Sequence, residues 1–134
     1  PRFPGRPVAL ARSRLSYVDI HSYPRELGTL EVDLRTIEFE KLKEVCRRTG
    51  KPLIMGEFGA FKHFYPELDT AAGTMERYLK RVYGRGFDGF MYWTYDTDEQ
   101  ERLWNALSGE RQIFDALLRV LEWRGPAGGA DDTE

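Results

Sequence analysis

The chain has 134 residues, the size of one domain or of part of a larger one. Its 20 lysine and arginine residues are balanced by 22 aspartate and glutamate residues, and the resulting formal charge of −2 argues against a nucleic-acid-binding protein. Hydrophobic residues make up 41% of the chain, so most of it should fold. No apolar run approaches the roughly 18 residues that span a bilayer. The single cysteine excludes an internal disulfide framework.

The first predicted strand has a polar face. Residues 1–14 are rich in proline and arginine and predict an irregular lead-in, such as the end of a preceding helix or loop. The alternating segment at 15–24 predicts a strand that ends at Pro24. The side chains on one of its faces are Tyr17, Asp19, His21 and Tyr23. Such a face is unusual for a strand that serves only the core.

Helices and strands alternate along the rest of the chain. Apolar residues at helical spacing predict three helices, at 36–49, 70–83 and 112–123. Between them, the run KPLIMGEF predicts a strand that is buried on both faces and ends at Glu57, and GFDGFMYWTY predicts a strand that passes through Trp93. This order predicts parallel strands with right-handed crossovers. The last ten residues, 125–134, predict a disordered tail.

Polar and aromatic side chains stand at the carboxyl ends of these strands, where parallel sheets and barrels carry their functional groups. Glu57 ends an apolar strand, so its carboxylate is partly desolvated and needs a partner or a function. His21 and Tyr23 lie on one face, and a tyrosine hydroxyl there can hydrogen-bond the carboxylate. Trp93 offers a rigid apolar surface for a sugar ring. Each residue also has a purely structural alternative. Glu57 could form an ion pair with a loop arginine, His21 and Tyr23 could be hydrogen-bonded polar aromatics, and Trp93 could pack in the core.

Three segments, VDIHSYP, KPLIMGEFG and GFDGFMYWTYDTDEQERLWNAL, resemble the last third of a clan A glycoside hydrolase barrel, and most of all the cellulase family, glycoside hydrolase family 5. In that family the sixth strand ends in a His-x-Tyr pair, the seventh in the nucleophilic glutamate, and the eighth in a tryptophan that lines the −1 sugar subsite. The matching residues here are His21, Tyr23, Glu57 and Trp93.

The resemblance implies an α/β fold that is the C-terminal portion, about strands 6–8, of a (β/α)8 TIM barrel. Residues 1–14 would then be a lead-in from a missing upstream barrel, residues 15–124 the last three strand–helix units, and residues 125–134 the tail. A three-strand piece exposes two strand edges and one inner face, so we expect Tyr17, Asp19, Leu53, Met55 and Met91 to meet water. We also expect the isolated chain to be poorly soluble or to self-associate through the open edges.

The resemblance further implies a partial glycoside hydrolase of retaining mechanism that cleaves β-linked glucans, mannans or related glycosides without a cofactor or metal. Glu57 is the implied nucleophile, with Tyr23 near its oxygens and His21 toward the sugar. The family's general acid/base is a second glutamate preceded by asparagine, and this sequence contains no Asn-Glu pair. We therefore expect the 134-residue chain alone to have no useful glycosidase activity.

Two alternatives stay open. A non-catalytic carbohydrate-binding relative would keep His21, Tyr23 and Trp93 but lack the acid/base. An unrelated α/β domain with chance motifs would place Glu57 and Tyr23 far apart. Localisation also stays open, because full-length relatives of the family are often exported and a lone cysteine fits either compartment.

The remaining candidate sites are weaker. An acidic loop containing Asp96, Asp98 and Glu99 lacks the glycine and the distal glutamate of a calcium loop, so we expect a solvated loop. His63 is interpreted as a surface-loop residue, and Cys46, on the apolar face of the first predicted helix, as a small core residue.

Overall fold

Helices and strands alternate in the computed structural model, which describes residues 7–26 and 34–124. The helices are α1 (Pro7–Arg12), α2 (Ile37–Thr49), α3 (Leu68–Gly84) and α4 (Gln112–Arg124). The strands are β1 (Val18–His21), β2 (Leu53–Phe58), β3 (Ala60–Phe61), β4 (Gly89–Tyr92) and β5 (Leu103–Trp104). The three predicted helices and the three predicted strands are confirmed, with shorter strands than expected. The lead-in contains the short helix α1, and the expected tail lies outside the described residues.

The central sheet is parallel. Its strand order is β1-β2-β4, so β2 pairs with both neighbours, and within the described ranges β1 and β4 each pair with β2 alone. Helix α2 connects β1 to β2, and α3 connects β2 to β4. This alternation is the unit of barrels and doubly wound sheets. A second, two-stranded antiparallel sheet pairs β3 with β5.

One face of the central sheet packs against the helices and forms the core. Leu53 and Met55 of β2 are 2% and 0% exposed, and the Met55 sulfur lies 3.5 Å from the Tyr78 hydroxyl of α3. The expectation that Leu53 and Met55 meet water is therefore wrong, because these side chains point to the helices. The opposite face is open in the described residues: Tyr17 and Met91 are each 49% exposed, as expected for them.

The same geometry corrects the prediction that β2 is buried on both faces. Ile54, which alternates with Leu53 and Met55, is only half-buried, as are Gly56 and Glu57. In α2, by contrast, the predicted core position of Cys46 is confirmed, since its side chain is buried beside Leu42 in the hydrophobic core. Among the described helices, none is long and apolar enough to cross a bilayer.

Candidate active site at the carboxyl ends of the strands

A bulge in β2 brings Glu57 to the open face of the sheet. Strict alternation after Leu53 and Met55 would point Glu57 to the helices. The strand register prevents this, because Ile20 of β1 lies opposite Met55 whereas His21 lies opposite Glu57. Residue 56 is therefore one extra residue in β2. The pairing with β4 shifts over the same stretch, between Met55 and Phe58. The bulge turns Glu57 toward the face that carries His21.

Tyr23 holds one oxygen of the Glu57 carboxylate. The Tyr23 hydroxyl donates a hydrogen bond of 2.6 Å to Glu57 Oε1, a short bond of the charge-assisted kind. Burial, and then the hydrogen bond and charge of Glu57, raise the pKa of Tyr23 above its usual value of 10.0. The hydroxyl therefore stays protonated and keeps its donor role. The alternative of an unrelated domain with chance motifs predicts that Tyr23 and Glu57 lie far apart, and this short distance between them argues against it.

His21 stands beside the other oxygen of the same carboxylate. Its Nδ1 lies 3.6 Å from Glu57 Oε2, and its Nε2 lies 2.9 Å from Asp19 Oδ2. The side chains of His21 and Glu57 are 53% and 28% exposed. The predicted polar face of the segment 15–24 thus brings three side chains, Asp19, His21 and Tyr23, into one cluster with Glu57.

Trp93 follows β4 at the same end of the sheet. Its backbone N–H donates a 2.7 Å hydrogen bond to the Phe58 carbonyl, its side chain is 48% exposed, and the peptide bond to Thr94 is cis. Gly59 makes the close approach possible: a Cβ there would lie 2.6 Å from the Trp93 carbonyl oxygen and 3.1 Å from Tyr23 Cε1. Only glycine leaves the backbone this much room.

Aromatic residues that the sequence analysis did not single out frame the site. The Phe61 ring packs on the Tyr23 ring with centroids 5.0 Å apart. The Trp104 indole donates to the Tyr65 carbonyl at 2.7 Å, and the Tyr92 hydroxyl donates to the Trp104 carbonyl at 2.6 Å. These bonds tie the β3–β5 sheet to the end of β4. The only sequence signal for this frame is the density of aromatic residues after Glu57.

The acidic loop uses its side chains for local hydrogen bonds and an ion pair. The two oxygens of Asp96 accept from the Asp98 N–H and the Gln100 amide, and Glu99 pairs with Lys62 at 3.2 Å. A cluster of three or more histidine, cysteine, aspartate or glutamate side chains suited to a metal ion does not occur between residues 7 and 26 or 34 and 124. His63 is exposed on the loop after β3, as expected of a surface-loop residue.

The chain was compared with known proteins by sequence and by structure. No family model and no curated protein matches the sequence. The structure is similar to that of an endo-β-1,4-mannanase from Thermotoga petrophila, with a TM-score of 0.57 and 17% identity over 96% of this chain and 30% of that chain.

Two further solved structures are similar. A hyperthermostable endo-1,4-β-D-mannanase from Thermotoga petrophila RKU-1 matches with a TM-score of 0.53 and 16% identity over 85% of this chain and 36% of that chain. An endoglucanase matches with a TM-score of 0.44 and 15% identity over 72% of this chain and 39% of that chain. The chain therefore spans about a third of the length of the mannanases.

These likenesses define the fold. The chain has the α/β fold of a portion of the (β/α)8 barrel of the two mannanases. The predicted α/β fold of a partial TIM barrel is thereby confirmed.

Proposed function

We propose that this chain is the nucleophile-bearing part of a retaining glycoside hydrolase that cleaves β-linked glucans, mannans or related polysaccharides. The observation that carries the proposal is the 2.6 Å hydrogen bond from Tyr23 to Glu57 at the carboxyl ends of parallel strands. A half-buried carboxylate that is held on a strand, with one oxygen bound by a phenol and the other beside His21, is suited to attack an anomeric carbon.

In the proposed reaction a Glu57 oxygen forms an ester bond to the anomeric carbon, while the bond from that carbon to the leaving oxygen breaks. A general acid gives its proton to the leaving oxygen. The same group then takes a proton from water, the water oxygen bonds to the anomeric carbon, and the bond from that carbon to the Glu57 oxygen breaks, which releases the sugar and the Glu57 carboxylate. Two carboxyl groups about 5–5.5 Å apart suffice for these steps, so the proposed reaction needs no cofactor.

The acid/base group is proposed to lie outside these 134 residues, because the sequence has no Asn-Glu pair. The complete reading frame tests this: we expect an Asn-Glu pair roughly 100 residues or more before Glu57, since the intervening strand–helix units of a barrel need that length. A complete frame without such a pair would favour the non-catalytic carbohydrate-binding alternative.

Trp93 is proposed to form part of the surface on which the sugar lies. Its indole is half-exposed and follows the strand next to β2. The apolar C–H faces of a pyranose can stack on a rigid indole, and the ring area gives affinity without demanding one particular hydroxyl pattern. The choice between glucan and mannan is therefore left to residues other than Trp93.

The activity test uses the polypeptide encoded by the complete reading frame and two activated substrates, dinitrophenyl β-cellobioside and dinitrophenyl β-mannobioside. We expect dinitrophenol release with at least one of them, and its loss in the Glu57→Gln variant, because the amide cannot act as the nucleophile. Glu101→Gln, on an exposed loop residue, is the matched control and should retain the release. Sugar binding without any release would favour the binding alternative, and release that survives Glu57→Gln would contradict the assigned nucleophile.

The isolated 134-residue chain is proposed to self-associate. Strands β1 and β4 are the two edges of the described sheet, and each offers unpaired backbone groups to another strand. Size-exclusion chromatography with light scattering should give a mass that rises with concentration. A monodisperse monomer with a sharp, concentration-independent unfolding transition would contradict this.

A further inference from the structure

The cluster around Glu57 contains a carboxylate that the proposed chemistry does not use. Asp19 lies two residues before His21 on the same face of β1, and its Oδ2 is 2.9 Å from His21 Nε2. The opposite ring nitrogen, Nδ1, is the one that lies 3.6 Å from Glu57 Oε2. The imidazole of His21 therefore stands between two carboxylates, one at each nitrogen.

We propose that Asp19 is a positioning residue, which fixes the orientation of the His21 ring so that Nδ1 faces the Glu57 carboxylate. An ionised carboxylate only accepts hydrogen bonds, so the proton of this bond sits on Nε2. A hydrogen bond at one ring nitrogen determines how the other nitrogen is presented. The catalytic meaning of this arrangement rests on the proposed function, whereas the arrangement itself can be tested without it.

The backbone of β2 makes room for Asp19. A Cβ on Gly56 would lie 2.6 Å from both the Cβ and the Oδ2 of Asp19, so any other residue at the bulge would displace this carboxylate. Gly56 is the extra residue of the bulge that turns Glu57 toward His21. Asp19 lies over this same glycine. The bulge at Gly56 therefore determines the positions of both the Asp19 and the Glu57 carboxylates.

A positioning role can be separated from a purely structural one. The side chains of Asp19 and His21 are 45% and 53% exposed, and an exposed pair of this kind adds little to the free energy of unfolding. We therefore expect Asp19→Ala to leave the thermal unfolding temperature unchanged while it changes the chemistry of the His21 ring.

Carbethoxylation by diethyl pyrocarbonate reports on that ring in the polypeptide from the complete reading frame, because an unprotonated ring nitrogen attacks a carbonyl carbon of the reagent. In the wild type we expect slow modification of His21, because Asp19 holds the proton on Nε2 and keeps the unprotonated Nδ1 turned toward the Glu57 carboxylate. His63 is exposed and serves as the internal reference within each molecule. Peptide mass spectrometry gives the ratio of the two rates.

Asp19→Ala should raise the His21-to-His63 rate ratio about two- to tenfold, which corresponds to the loss of one net hydrogen bond. Asp19→Asn keeps the shape and one acceptor oxygen, so it should stay near the wild-type ratio. An unchanged ratio in Asp19→Ala, or an equal rise in both variants, would overturn the proposal.

The catalytic consequence is measured separately in the polypeptide from the complete reading frame. Asp19→Ala should lower the rate of dinitrophenol release, and in a His21→Ala background it should lower it no further, because Asp19 acts through His21. A full additional loss in that background would contradict a role through His21. An absence of dinitrophenol release in the wild type would count against the proposed function and leave the carbethoxylation result to decide on Asp19.

Discussion

Glu57 lies opposite His21 in the central sheet, one residue out of step with the pairing of Met55 and Ile20. The candidate site depends on this shift. Without the extra residue at Gly56, the carboxylate would follow Met55 toward the helices and away from Tyr23. Bulges next to active sites commonly re-aim one side chain in this manner. The backbone register, more than any single contact, determines what the Glu57 carboxylate meets.

Replacing Tyr23 tests the hydrogen bond to the carboxylate. Tyr23→Phe removes the donor at 2.6 Å but keeps the ring that packs on Phe61. Because hydrogen bonds to charged groups contribute about 1.5–3 kcal/mol, we expect the rate of dinitrophenol release to fall roughly ten- to a hundredfold in the complete polypeptide. Tyr17→Phe is the matched control, because Tyr17 lies on the same face of the segment 15–24 and is half-exposed. This variant should keep the wild-type rate.

The raised pKa of Tyr23 predicts a loss of stability at alkaline pH. Below its usual value of 10.0, the hydroxyl is protonated in both the folded and the unfolded chain. Above that value the unfolded chain loses this proton while the folded chain retains it, so the free energy of unfolding falls as the pH rises. Urea unfolding between about pH 8 and about pH 11 should show a shallower fall for Tyr23→Phe. The same slope in both proteins would contradict the prediction.

A methyl group at Gly59 should disturb the junction of the strands. It would lie 2.6 Å from the Trp93 carbonyl oxygen and 3.1 Å from Tyr23, so we expect Gly59→Ala to cost about 1–3 kcal/mol in free energy of unfolding. Gly73→Ala is the matched control, because in α3 the nearest atom would be an Arg77 side-chain nitrogen at 3.7 Å. That variant should gain up to about 1 kcal/mol from helix propensity. Denaturant unfolding measures both, and equal effects would contradict the geometry.

Two methionines test which face of the sheet is buried. Met55 is 0% exposed and Met91 is 49% exposed. Met55→Ala should lower the free energy of unfolding by about 2–5 kcal/mol, because it leaves a cavity between the sheet and α3. In the isolated 134-residue chain, Met91→Ala should change it by less than about 0.5 kcal/mol. A larger effect at Met91 than at Met55 would mean that the open face is covered.

Two tryptophans separate sugar binding from packing. Trp93 and Trp123 are 48% and 55% exposed, but only Trp93 lies beside the Glu57 cluster. In the complete polypeptide, Trp93→Ala should weaken the binding of a β-linked oligosaccharide by roughly 0.5–1.5 kcal/mol, the range found for rigid aromatic contacts. Trp123→Ala, on α4, should leave binding unchanged. Calorimetric titration measures both, and a loss confined to Trp123→Ala would contradict the assignment.

The strand–helix order and the meeting of the strands' carboxyl ends at one edge could be predicted from the sequence, because apolar periodicity is local and parallel strands bring these ends together. The alternation of the predicted segment 15–24 placed Asp19, His21 and Tyr23 correctly on one face. The bulge could not be predicted in the same way, because an inserted residue breaks the two-residue alternation on which the prediction of strand faces depends. Gly56, next to Glu57, was the one local signal for it.

Two other features depended on tertiary structure. The burial of Leu53 and Met55 follows from the side of the sheet on which the helices pack, and a short apolar run does not encode that side. Strands β3 and β5 have two residues each, which is too short for any periodic pattern. The small sheet that holds the aromatic frame around Tyr23 could not be predicted for this reason.

The proposed role of Glu57 is tested most directly by locating the sugar in a trapped covalent intermediate. Dinitrophenyl β-glycosides that carry fluorine at C2 react with the nucleophile of a retaining enzyme. The fluorine on the bound sugar then slows the hydrolysis of the glycosyl-enzyme, so this intermediate accumulates. After reaction of the complete polypeptide, proteolysis and tandem mass spectrometry should find one glycosylated peptide, with the sugar on Glu57, and none in the Glu57→Gln variant. A sugar on another carboxylate, or turnover of the substrate with Glu57 unmodified, would contradict the assignment.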